Sequence, residues 1–146
     1  MESRGSISAD FLLASLIILI TLSSLVSIAI DRIDTANSIA ESSQARITAE
    51  NIAEHIETTY IHGEGYYTTY TTPKKIFNNH YGVIINCSGL YLFLNGKTCY
   101  SYLGSMEISG ADYPISSKVI LKPDRTYNIS NIKDKHNITR VVIKEI

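Results

Sequence analysis

The chain has 146 residues and a formal net charge of −1, room for one modest domain. The charge is uneven: residues 31–62 carry six acids against Arg32 and Arg46, a local net of −4, and residues 63–146 carry ten Lys and Arg against six Asp and Glu, a local net of +4. The basic residues are scattered and form no stripe interleaved with aromatics, which argues against a nucleic-acid partner.

The first element is the uncharged run Phe11–Ile30. As a helix, twenty residues rise ~30 Å, the thickness of a bilayer core. A secretory signal has a shorter apolar region, ~7–15 residues, ending at a small-residue cleavage site. No A-x-A pattern precedes Asp31, and the helical pattern continues beyond the run, so a membrane anchor is the simpler reading. The residues ahead of it, Arg4-Gly5-Ser6-Ile7-Ser8-Ala9-Asp10, place a cation and a glycine before the run and a carboxylate five positions after that glycine. A carboxylate at the edge of a spanning segment is costly in lipid and usually has a partner or a function. Its plainer role is a helix N-terminal charge in the headgroup layer.

This order of residues resembles the leader junction of type IV pilin-like proteins, and more narrowly the class III signal peptide of archaeal pilins, whose pattern after the cleavage point is Q-x-S-x-E-x-x-x-L. Ser8 matches the serine, Asp10 stands where glutamate is usual, Ser6 replaces the glutamine, and Ala14 falls on the leucine position beside Leu12 and Leu13. The resemblance covers residues 4–30. It implies cleavage between Gly5 and Ser6 by a membrane prepilin peptidase, leaving residues 1–5 as a leader. It also implies that Asp10 pairs with the free amine of Ser6 on a neighbouring subunit, a pairing that fixes register because an unpaired charge is expensive in an apolar bundle.

From Ser6 to His62 there is no Gly or Pro, and Gly63-Glu64-Gly65 then ends the pattern, so one helix is expected over residues 6–62. Past the run, Ile33, Ala36, Ala40, Ile47, Ile52, Ile56 and Tyr60 recur at helical spacings with one shift of register. One face is expected against the head and an acidic face outward. The competing reading is a coiled-coil stalk, which would keep heptads with large seam residues.

Residues 63–146 are expected to form a β-rich extracytoplasmic head. Gly65–Pro73 reads as an edge strand or extended loop. Strands follow at Gly82–Cys87, Leu90–Leu94 and Thr98–Leu103, with turns at Ser88-Gly89 and Asn95-Gly96-Lys97, since Asn-Gly between apolar runs signals a hairpin. Lys118–Lys122 and Arg140–Ile146 are later strands, with weaker character at Tyr127–Ser130. The expected fold class is therefore α+β: a long N-terminal helix on one small antiparallel sheet of about five strands. Cys87 and Cys99, an even pair in an exported portion, allow one disulfide, the alternative being two free thiols. Asn86, Asn128 and Asn137 head N-x-S/T sequons and are candidate glycosylation sites, all in the head.

No catalytic constellation is legible. His55, His62, His80 and His136 lack paired metal-ligand spacing, no phosphate loop follows a strand, and no nucleophile elbow occurs. The reading is a non-enzyme without cofactor, metal or small-molecule substrate: a structural or accessory subunit of a pilus-like surface filament. Its partners would be copies of itself or related subunits, with the N-terminus cytoplasmic and the head outside. The alternative is a membrane-anchored binding or adhesion module that never polymerises. N-terminal cleavage and filament incorporation discriminate the two.

Overall fold

A computed structural model of the chain describes residues 3–104, 106–110, 118–133 and 138–146, with backbone alone for residues 3–8. The fold is α+β: helix α1 (Ser3–Ile61) followed by eight strands. The chain divides into two compact units, Met1–Ala40 and Glu41–Ile146. The first unit is helical throughout its described residues, and from Ala9 to Ala40 every side chain is exposed except half-buried Ser15.

The second unit contains the rest of α1 and all the strands. Its helical part buries Ala45, Thr48, Ala49, Ile52, Ala53, Ile56 and Thr59, an i, i+3, i+4 stripe. Ile52 and Ile56 lie on it as expected, but Ile47 is 54% exposed and Tyr60 36%. Alanines carry the stripe because small side chains let the helix backbone approach the strands closely.

The strands form two sheets rather than one. β1 (Tyr67–Thr71), β7 (Thr126–Lys133), β8 (Thr139–Glu145) and β5 (Glu107–Gly110) make the first, in the order β1-β7-β8-β5. β4 (Lys97–Ser101), β3 (Gly89–Leu94), β2 (Tyr81–Asn86) and β6 (Lys118–Leu121) make the second, in the order β4-β3-β2-β6. β1 is an edge strand, as its Tyr/Thr composition and the following Pro73 suggest. The region expected to be weak strand at 127–130 is the eight-residue β7, paired on both sides. β5 runs parallel to β8, with Glu107 opposite Arg140 and their side chains in a salt bridge.

The inward faces are legible from alternation. Tyr81, Val83 and Ile85 on β2 and Leu90, Leu92 and Leu94 on β3 are buried and join Ile52, Ile56, Ile129, Val141 and Ile143 in one core. Full burial of such a side chain stabilises by ~1.5–3 kcal/mol. Asn95 and Gly96 both have positive φ (48° and 75°), making the two-residue turn that the Asn-Gly pair predicts. Gly89 is required by space: a Cβ there would stand 2.6 Å from the Tyr100 ring and 2.7 Å from the Ser101 carbonyl oxygen.

Helix α1 is capped by a long-range contact. Gly63 (φ 86°) turns the chain out of the helix, and the Asn131 amide on β7 donates to the carbonyls of Thr59 (3.2 Å) and Tyr60 (3.0 Å). The Asn131 backbone is joined to Gly65 and Tyr66, so one residue ties the helix end to the first sheet.

Tyr81 donates its buried hydroxyl to the Pro73 carbonyl at 2.6 Å. Burial, chiefly, pushes its pKa well above the ordinary tyrosine value, and burial raises Tyr127 and Tyr70 as well. The folded state thus holds these phenolic protons more tightly than the unfolded chain does. This contribution is complete below the unfolded value of ~10 and is lost as pH rises beyond it. Denaturant unfolding of the chain in detergent should show stability flat through neutral pH and falling above ~10. Tyr81→Phe should make that alkaline fall shallower and cost about 1 kcal/mol at neutral pH, the value of the lost hydrogen bond.

Candidate functional site

The apolar run of α1 is the feature that the fold leaves without intramolecular cover. Its large side chains are half to three-quarters exposed, from Phe11 at 72% to Ile30 at 52%. The mean hydropathy reaches 2.5 over a spanning window in which nothing is buried, and it is the only such helix among the described residues. Three of the five hydroxyls in this run bond back onto the helix. Ser15 donates to the Leu12 carbonyl, Thr21 to Ile18 and Ser24 to Ile20, each at 2.9 Å. With backbone polar groups satisfied inside the helix and three of its hydroxyls turned back onto it, the surface is compatible with lipid or with other apolar helices. This much establishes a helix able to span a membrane.

Asp10 is exposed at the start of this surface, and no partner sits on its carboxylate among the described residues. Gly5 and Ser6 are helical in backbone, within α1. The helix therefore runs through the expected leader junction.

The other sequence-derived candidates separate. Cys87 is an exposed free thiol in the β2–β3 turn, and Cys99 is a half-buried free thiol on β4, opposite Leu92. β3 lies between β2 and β4, and both thiols are free. Asn86 closes the β2–β3 turn: its Oδ1 accepts from the backbone N–H of Ser88 (2.9 Å) and Gly89 (3.1 Å). Asn128 is half-buried in β7 between Thr69 and Lys144, and its Oδ1 is enclosed without a partner. Asn86 thus stands at the end of β2 and Asn128 within β7. Asn137 and His136 lie outside the described residues.

The remaining histidines are dispersed. His55 packs at a tilt on Tyr70, His62 stacks on Tyr66, and His80 is exposed. Among the described residues no three His, Cys, Asp or Glu side chains gather where they could hold a metal ion.

Two features were not read from the sequence. Glu41, counted with the outward acidic face, is turned inward with its side chain only 12% exposed. It accepts from the Asn79 amide (2.8 Å) and from the Asn95 amide, and Lys97 lies at 3.9 Å. It thereby holds two turns at one point on the helix. The first of these turns, Ile76–Asn79, is closed by reciprocal backbone hydrogen bonds, with Phe77 (φ 47°) and Asn78 (φ 63°) both left-handed. Asn tolerates that conformation, whereas a bulky aromatic in it costs ~1–3 kcal/mol. Phe77 is nevertheless 42% exposed. The Asn78-Asn79 pair after Phe77 was the available signal.

No family model, curated protein or solved structure matches the chain.

Proposed function

We propose that the chain is a structural or accessory subunit of a type IV pilus-like surface filament, held in the membrane by α1 before assembly and packed helix to helix after it. The observation that carries this reading is the twenty-residue exposed apolar surface with a carboxylate at its start. Lipid alone would accommodate the surface and leave Asp10 as a charge in the headgroup layer, whereas a filament gives its carboxylate a partner. In a bundle of such helices Asp10 would meet the Ser6 amine of a neighbour, and the β-rich head would face outward. Arg4 ahead of the run and the net negative flank Asp31-Arg32-Ile33-Asp34 behind it favour a cytoplasmic N-terminus. The class III leader resemblance supports processing by a prepilin peptidase.

The test is the N-terminal residue of the protein isolated from cells, read by intact mass. It is expected to be Ser6, and Gly5→Leu is expected to leave the precursor uncut, since a bulky side chain blocks close approach of a protease to the backbone. Retention of Met1, or a cut near Ile30, would remove this reading.

A further inference from the structure

We propose that the Lys74–Asn79 turn of one subunit docks on residues 30–37 of α1 in a second copy. This rests on the filament reading and names a contact within it. On the turn, Phe77 is exposed, Lys74 and Lys75 are exposed and make no ion pair among the described residues, and a groove lined by Gln44, Lys75, Phe77 and Asn78 runs beside it. The Glu41–Asn79 hydrogen bond tethers the turn to the helix, which limits the backbone ordering that docking would cost.

The complementary surface lies on the same chain. Ile30, Ile33, Asp34 and Asn37 recur at i, i+3, i+4, i+7 and share one helical face, flanked by Asp31. Ile30 is 52% exposed and Ile33 60%, and among the described residues neither Asp31 nor Asp34 makes an ion pair. The apolar run already accounts for the ~20 residues a bilayer core accepts, so Ile33 and the residues after it lie beyond lipid cover. Asp31 and Asp34, whose charge Arg32 offsets only in part, lie beside exposed isoleucines and are opposite in charge to Lys74 and Lys75, which lie beside an exposed phenylalanine. A contact between two different patches of identical chains is heterologous, and its repetition gives an open filament rather than a closed dimer.

The test uses surface filaments assembled from a mixture of isotopically heavy and light subunits. They are treated with a carbodiimide, which joins lysine to carboxylate without a spacer, and digested for mass spectrometry. The expected result is a heavy–light cross-link from Lys74 or Lys75 to Asp31 or Asp34. Coupling only to Glu50 or Glu54, or no intersubunit coupling in filaments that do form, overturns the docking and leaves the filament reading standing. Failure to find the protein in any filament overturns both. As a second arm, Lys75→Gln combined with Phe77→Asn relaxes the turn and should leave the head folded by circular dichroism. It should lower filament yield about tenfold, the scale of roughly one lost ion pair and apolar contact. Unchanged yield overturns the proposal.

Discussion

Replacing Asn131 by Asp should unfold the head at neutral pH and spare it in acid. Asn131 is 1% exposed, and its amide donates to the final carbonyls of helix α1. A carboxylate there has no proton to give, faces two carbonyl oxygens at the negative end of the helix dipole, and is cut off from water. An uncompensated buried charge costs ~3–5 kcal/mol, a large share of the stability of a small domain. The same burial raises the carboxyl pKa of the variant above its unfolded value of ~3.9. Stability is therefore retained below that value, where the neutral acid can donate to one carbonyl, and is lost as pH rises through the folded pKa. Denaturant midpoints of wild type and Asn131→Asp in detergent should nearly meet at acid pH and diverge toward neutrality. Asn131→Leu, which strands the two carbonyls without adding charge, should cost less and show no such pH dependence. Equal midpoints for all three chains at neutral pH would mean that the Asn131 amide contributes nothing to holding the helix end.

Asn131 also shows where sequence reasoning stops. The helix was legible because an unbroken stretch without Gly or Pro followed by Gly63 is a local pattern, and the Asn95-Gly96 hairpin was legible for the same reason. The partner that caps the helix lies 71 residues beyond Tyr60, and no local period marks it. Alternation at 81–86 and 89–94 shows which side chains face inward, but not which sheet the strand joins. One antiparallel sheet and two sheets are equally consistent with it. β5 was missed because Glu107–Gly110 is four residues with a terminal glycine, and its parallel partner β8 follows only after a long crossover. The expected face of α1 ran through Ile47 and Tyr60, whereas the buried stripe passes through Ala45, Ala49 and Ala53 beside Ile52 and Ile56.

The disulfide illustrates a different limit. Cysteine count allows a bridge, but geometry needs two Cβ atoms facing across a short gap, and the β2–β3–β4 meander inserts a strand between the two chain segments. The same order of strands sets Asn86 into a turn-closing role that a sequon search cannot register. Glu41 was assigned to a solvated face because its helical neighbours are acidic, yet the asparagines that turn it inward belong to hairpins 38 and 54 residues away.

Asp10→Asn should abolish filament assembly while leaving membrane insertion intact. In a bundle of apolar helices with little water, the Asp10 carboxylate and the Ser6 amine of a neighbour would each be stranded without the other, and removing one partner of a buried pair costs ~3–5 kcal/mol. That penalty recurs at every subunit added, so even a modest value per contact leaves long assemblies unpopulated. In a single anchor the same residue lies at the interface, where replacing a charge by an amide is neutral or eases insertion. Asp10→Glu keeps the charge, matches the residue usual at this position in the resembling family, and should assemble. The measurement compares wild type, Asp10→Asn and Asp10→Glu for protein in sheared surface filaments and for protein in the membrane fraction. The expected pattern is filaments for wild type and Glu, and membrane monomer alone for Asn. If Asn assembles like wild type, the carboxylate is only an interfacial charge. If wild type itself stays in the membrane fraction, the chain is better described as an anchored extracytoplasmic module, with its exposed helix covered by lipid.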